Sequence, residues 1–237
     1  MFKKASTIQS QPTGKQVLAA KLVATLLLAL LASPGATAQD ELSDDREVEE
    51  RREATQSMSE LVYRRLSAVH DHLGEDALDE AMKGLTQLSK MSLNDYEEAL
   101  VHQTYGFVYI RQDRQEDAIA AFERCLQLDA LPNLAQQGML YSLAGLYQVA
   151  EQYEKAIETM RTWFKYEADP PAKAYMVIGS SYTQLQKFDE ALPYVQKAIE
   201  KSEEPKQSWY LAELAIHYQK ERFSESVRVL KSMLRYW

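Results

Sequence analysis

A short marker recurs along this chain and constrains its architecture more than any other feature. It is an aromatic residue followed by a charged one, with an alanine three positions after the aromatic. Tyr153-Glu154-Lys155-Ala156 and Phe188-Asp189-Glu190-Ala191 carry it in full. Phe223-Ser224-Glu225-Ser226 is a weaker copy, while Leu78-Asp79-Glu80-Ala81 and Gln115-Glu116-Asp117-Ala118 keep the alanine and lose the aromatic. The copies start at 78, 115, 153, 188 and 223, with spacings of 37, 38, 35 and 35. A fixed period of a few tens of residues marks a stacked array of small units, none of which can bury its apolar faces alone.

Composition decides what each unit is made of. Gly (8) and Pro (7) are sparse and the hydrophobic content is 46%, too high for a largely disordered chain. Ala, Leu, Gln, Glu and Lys are abundant, and these side chains lose little rotamer freedom in a helix. Alternating Val/Ile/Thr runs, the mark of a sheet, are missing. The chain is therefore expected to be all-α, each unit a helix-turn-helix. Pro132, Pro170 and Pro205 stand where helix propagation must stop between units.

Around the marker a second pattern falls into place. The unit starting at Ala99 contains Tyr105-Gly106, Tyr109, Ala118, Phe122 and Cys125. Later units contain Leu143-Ala144, Tyr147, Tyr153 and Ala156, then Ile178-Gly179, Tyr182, Phe188, Ala191 and Val195, then His217, Phe223 and Leu230. A degenerate first copy has Val69, Leu78, Ala81 and Leu85. Small residues on the first helix (Gly106, Ala144, Gly179) and on the second (Ala118, Ala156, Ala191) are expected where the two helices pack closest.

On these residues the chain resembles the tetratricopeptide-repeat (TPR) family from about Val62 to Trp237. The resemblance implies a superhelical solenoid of about five repeats, near 62–95, 99–132, 137–170, 172–205 and 207–237. It also implies a concave face lined by the first helices, at positions 2, 5, 9 and 12 of each repeat. These are Leu100, Gln103, Phe107 and Ile110; Gly138, Tyr141, Gly145 and Gln148; Lys173, Met176, Ser180 and Thr183; Ser208, Leu211, Ala215 and Tyr218. Members that bind chaperone tails clamp a terminal carboxylate with Lys and Asn at positions 5 and 9. Here Gln103 and Phe107, then Tyr141 and Gly145, occupy those places, so the clamp does not carry over. A groove of Phe107, Tyr141, Met176 and Tyr218 suits a protein or peptide partner with apolar anchors.

The N-terminus reads as a secretory signal peptide over residues 1–38. Lys3, Lys4, Lys15 and Lys21 form a basic region, and Leu22 to Ala32 is an apolar stretch of 11 residues, short of the ~20 that span a bilayer. Ser33-Pro34-Gly35 breaks it, and Ala36-Thr37-Ala38 supplies small residues for cleavage after Ala38. Export to the periplasm is expected. Residues 39–58 are dense in Asp, Glu and Arg and read as a solvated acidic tether or a frayed helix start. The formal charge is −8, and loss of the four leader lysines leaves −12, which disfavours nucleic acid as a partner. Cys125 is the single cysteine, so no internal disulfide forms, and it reads as a core residue.

Nothing in the chain reads as catalytic, metal-binding or cofactor-binding. His70 and His72 lie two apart, so on a helix they point to different sides, and His102 and His217 are isolated. Gly179-Ser180-Ser181 lies within a helical pattern and is not a nucleophile elbow. An enzyme is not expected.

The leader, the acidic segment, the degenerate first repeat and the stretch Lys187 to Val195 together resemble periplasmic TPR proteins associated with TonB, ExbB and ExbD. That resemblance implies an accessory role in TonB-dependent transport, with components of the TonB complex as partners. A general cell-envelope scaffold is the alternative. At the other end, a helix expected over Ser224 to Arg235 carries Val227, Val229, Leu230, Met233 and Leu234, followed by Tyr236 and Trp237. TPR arrays usually close with a polar helix, and this one is apolar. Self-association or partner docking through Leu230, Leu234 and Trp237 is expected.

Overall fold

The structure is a computed structural model. It describes residues 41–43, 48–49, 51 and 57–234. The signal-peptide reading, most of the acidic segment and Trp237 lie outside the described residues. The chain divides into two units, Met1–Ser43 and Asp44–Trp237, and all that follows concerns the second.

Ten helices fill this unit among the described residues. In order they are α1 (Glu60–Gly74), α2 (Leu78–Leu88), α3 (Asp95–Arg111), α4 (Gln115–Gln127), α5 (Asn133–Val149), α6 (Tyr153–Phe164), α7 (Ala172–Gln184), α8 (Phe188–Lys201), α9 (Gln207–Gln219) and α10 (Phe223–Met233). They pair as five hairpins, and each second helix packs on its own first helix and on the first helix of the next pair. The result is an all-α solenoid of five repeats. No described helix is long and apolar enough to cross a membrane.

The recurring marker has a plain structural meaning. Leu78, Gln115, Tyr153, Phe188 and Phe223 are the first residues of the five second helices. Two residues before each stands a residue in the left-handed region: Asp76, Asp113, Glu151, Gln186 and Glu221, with φ between 55° and 60°. The next amide donates back into the preceding helix, as in Ala77 N to His72 O (2.8 Å) and Arg222 N to His217 O (2.8 Å). These are Schellman endings, which let a helix stop and the chain reverse within three residues. None of the five uses glycine, although glycine alone adopts this conformation without cost.

Alanine and glycine set the spacing within repeats. Ala118, Ala144, Ala156 and Ala191 are fully buried. A Cβ added to Gly106 would lie 2.0 Å from the Phe122 ring, and one on Gly179 would lie 2.9 Å from Val195 Cγ2 and 3.1 Å from its backbone nitrogen. The core runs continuously along the array. Val62, Leu66, Leu85, Leu88, Val101 and Val108 form one cluster at its start. Phe122, Cys125, Leu131, Met139, Leu143 and Tyr147 form the next. Further along, Phe164 and Tyr175 meet edge-to-face at 5.0 Å across the boundary between the third and fourth repeats.

Two described residues of the acidic segment, Glu49 and Arg51, contact the array, although the Glu49 side chain is 59% exposed. The Glu49 amide donates to Lys165 O (2.8 Å), and the Arg51 side chain is only 10% exposed. The local composition is polar, so nothing apolar signalled docking; the contacts are hydrogen bonds to loops far along the chain. Pro132, Pro170 and Pro205 stand between helices of successive repeats, Pro132 as the N-cap of α5, and Pro171 is the N-cap of α7. Proline fits there because the first turn has no use for its missing N–H.

Candidate functional site

The first helices α3, α5, α7 and α9 carry the residues expected to line the groove. Neighbouring first helices touch along the array, α1 on α3, α5 on α7 and α7 on α9, so these helices form a shared face. Many large apolar side chains among the described residues are buried, yet on this set Phe107 (44%), Ile110 (40%), Leu211 (49%) and Tyr218 (64%) stand exposed. Lys173 is exposed as well, and Gln103, Tyr141 and Met176 are half-buried.

Phe107 and Tyr141 are held from below by buried rings. Phe107 meets buried Phe122 edge-to-face at 5.4 Å. Tyr141 packs in the same way on Trp163, with ring centroids 5.4 Å apart. Burial pushes the Tyr141 hydroxyl above its ordinary pKa. Tyr218 leans on Phe223 at 6.2 Å. Such support fixes side-chain orientation before a ligand arrives, which lowers the entropy lost on binding. Trp163 had no place in the sequence reading; it lies on a second helix and reaches Tyr141 only through the pairing of α5 with α6.

Four members of the expected set are engaged in the fold. Leu100 is half-buried and packs against both core clusters, bridging the first repeats. Gln148 Nε2 donates to Val177 O (3.0 Å), Ser180 Oγ (2.8 Å) and Ser181 Oγ (3.0 Å). It therefore ties α5 to α7 rather than presenting its amide to a ligand. Ser180 and Thr183 donate their hydroxyls to Met176 O and Gly179 O within α7.

The remaining ionisable groups are structural in their surroundings. Cys125 is fully buried, and burial pushes its thiol up to about 12 despite a backbone hydrogen bond from Gln103. Such a thiol stays protonated and unreactive at neutral pH. Burial holds the His102 pKa down, against the raising influence of Glu98. His217 is buried beside Glu213, with Nε2 3.6 Å from a carboxylate oxygen. Among the described residues no group of three or more His, Cys, Asp or Glu side chains is placed to hold a metal ion.

The array resembles known proteins at the level of fold. Residues 99–130 and 172–203 match the tetratricopeptide repeat family model. Among solved structures, MamA (residues 41 to the end) from Desulfovibrio magneticus RS-1 is similar with a TM-score of 0.59 and 14% identity, over 76% of this chain and 96% of that one. MamA of strain AMB-1 gives a TM-score of 0.58 and 18% identity over 72% and 88%. A Podosopora anserina protein titled for kinesin light chain and its nearly identical TPR-like repeats gives 0.52 and 13% over 72% and 92%. No curated protein sequence matches the chain. The chain thus carries tetratricopeptide repeats in a solenoid of the fold these structures share.

Proposed function

We propose that this protein is a non-catalytic adaptor that captures a segment of a protein partner on the face formed by its first helices. The observation that supports this reading is that Phe107 and Ile110 on α3 and Leu211 and Tyr218 on α9 stand exposed on first helices, with Phe107 packed on buried Phe122. Exposed apolar surface backed by rigid packing is the ordinary signature of a binding site. Tetratricopeptide folds provide only the framework, so the ligand is set by these side chains. Apolar anchors at helical spacing with one cation, Lys173, fit an apolar peptide rather than a free carboxylate terminus.

The finer assignment places the adaptor in the periplasm as an accessory of TonB-dependent transport. It rests on the leader-like N-terminus and on the resemblance to periplasmic TPR proteins of that system. The test is a photo-crosslinking residue at position 107 or 218 in living cells. An adduct with a component of the TonB complex supports the assignment. An adduct with an envelope assembly factor replaces it with the scaffold reading. Adducts formed only from the opposite face remove the groove. Phe107→Ala is expected to weaken capture about tenfold, the cost of truncating a central aromatic anchor, with helicity unchanged by circular dichroism. A strong loss of thermal stability with capture intact would make Phe107 a packing residue.

A second surface supports self-association. On α4, α6 and α8 the outer apolar face is covered by the following first helix. On α10 Val227 (49%) and Leu230 (46%) are exposed, with Leu234 (80%) at its end. We expect Leu230→Lys with Leu234→Lys to shift the protein to a smaller species in sedimentation velocity. A wild-type chain that sediments as a monomer at high concentration, unchanged by the substitutions, would rule this contact out.

A further inference from the structure

We propose that the edge formed by the loops between repeats is a second peptide-docking surface, with a guanidinium receptacle at Asp129–Asn133, and that the chain's own Arg51 occupies it. This surface is separate from the first-helix face, and the inference stands whether or not that face binds a partner.

The receptacle is built from several acceptors converging on one guanidinium. Arg51 Nε donates to Asp129 Oδ1 (2.8 Å), one Nη to Leu131 O (2.9 Å) and Asn133 Oδ1 (2.9 Å), and the other to Asp129 O (2.7 Å). Asn133 Nδ2 returns a bond to Arg51 O (3.2 Å). The loop is preset for this. Asp129 is in the left-handed region at φ 47°. Ala130 and Leu131 are buried in the core and anchor the loop from beneath. A planar fork of fixed donors matches such a set of acceptors, whereas a lysine ammonium cannot satisfy them all.

Other described residues before α1 also touch the array. Nearest α1, the Ser59 amide donates to Glu97 Oε1 (2.7 Å) and Ser57 O accepts from Asn94 Nδ2 (2.9 Å), both at the start of α3. Arg51 then meets the start of α5. The Glu49 amide reaches Lys165 O, at the C-terminal end of α6. Contacts of the described residues therefore fall at the starts of α3 and α5 and at the end of α6. Beside Arg51 an open cavity of about 400 Å³ is lined by Glu49, Arg51, Asn133, Gln136, Gln137 and Tyr166. Within it Gln136 Oε1 is buried without a hydrogen-bond partner. An incoming arginine-bearing extended segment would have to displace this strap.

The test is amide hydrogen exchange by NMR on the full chain. In the wild type the Glu49 amide should exchange at least about tenfold slower than an unstructured amide, and Arg51→Ala should abolish that protection, because bonds to a charged group hold the segment down. Amides of α5 to α8 should keep theirs, which separates release of the strap from unfolding. Arg51→Lys should release the segment as well. The proposal is overturned if Glu49 is unprotected in the wild type, if Arg51→Ala leaves its protection intact, or if Arg51→Lys holds the segment as well as arginine does.

Discussion

Gly106→Ala is expected to destabilise the array by about 2 kcal/mol, measured by urea unfolding, although alanine is the better helix former. The new methyl group would sit 2.0 Å from Phe122 Cε1 and 2.3 Å from its Cδ1. Phe122 is fully buried and packs edge-to-face with Phe107, so its ring has little room to shift. Overpacking of this kind typically costs about 1–3 kcal/mol. Gly145→Ala is the control. Nothing lies within 4 Å of its added Cβ, so it should stabilise by up to about 1 kcal/mol through helix propensity alone. Phe122→Leu combined with Gly106→Ala should recover part of the loss. Equal effects at the two glycines would mean that α3 and α4 do not approach as closely as described.

Glu97→Ala is expected to cost about 3 kcal/mol, since one carboxylate serves two helix starts. Glu97 Oε2 accepts from the Asn94 amide (3.1 Å) while Asn94 Oδ1 accepts from the Glu97 amide (2.9 Å), a reciprocal capping box on α3. Its other oxygen accepts from Ser59 N at the start of α1. Burial works against the charged form, but the amides of Ser59 and Asn94 and the Ser59 side chain outweigh it and hold the pKa below the ordinary value. The sign for stability follows. With a depressed folded pKa, the contribution is complete above the unfolded carboxylate pKa of about 4.3 and is lost as pH falls through the lower folded value. Wild-type stability should therefore fall more steeply below about pH 4 than that of Glu97→Gln. Parallel pH profiles would show that Glu97 is not ionised in its site.

The link from Glu97 to Ser59 also shows why some of this protein was not visible in its sequence. The capping box is local, and Asn94 with Glu97 three residues on is a readable signature. The bond to Ser59 spans 38 residues, and no pattern announces it. Arg51 is a stronger instance, for it meets Asp129 and Asn133 across about eighty residues. In a run of charges, one arginine looks like the next; only the stacked loops distinguish it. Gln148 illustrates the same point on the groove. Its repeat position matches that of a ligand-facing residue, but Ser180 and Ser181 on the adjacent helix claim its amide.

What the sequence determined by itself is the repeat and its grain. Period, alanine positions and close-packing glycines follow from contacts within one repeat and between neighbours, so they are written at fixed spacings; the alanine recurs in four of the five units and Ser226 takes its place in the fifth. The first residues of the second helices coincide with the marker for that reason. The five left-handed turn residues escaped notice because none is glycine; the hairpin geometry imposes that conformation on Asp, Glu and Gln. Which first-helix side chains stay exposed, which are claimed by a neighbour, and where the segment before α1 lies were decided only by the tertiary structure. Those outcomes depend on pairs of residues tens of positions apart, whose meeting is set by the curvature of the stacked helices and not by any local preference of the chain.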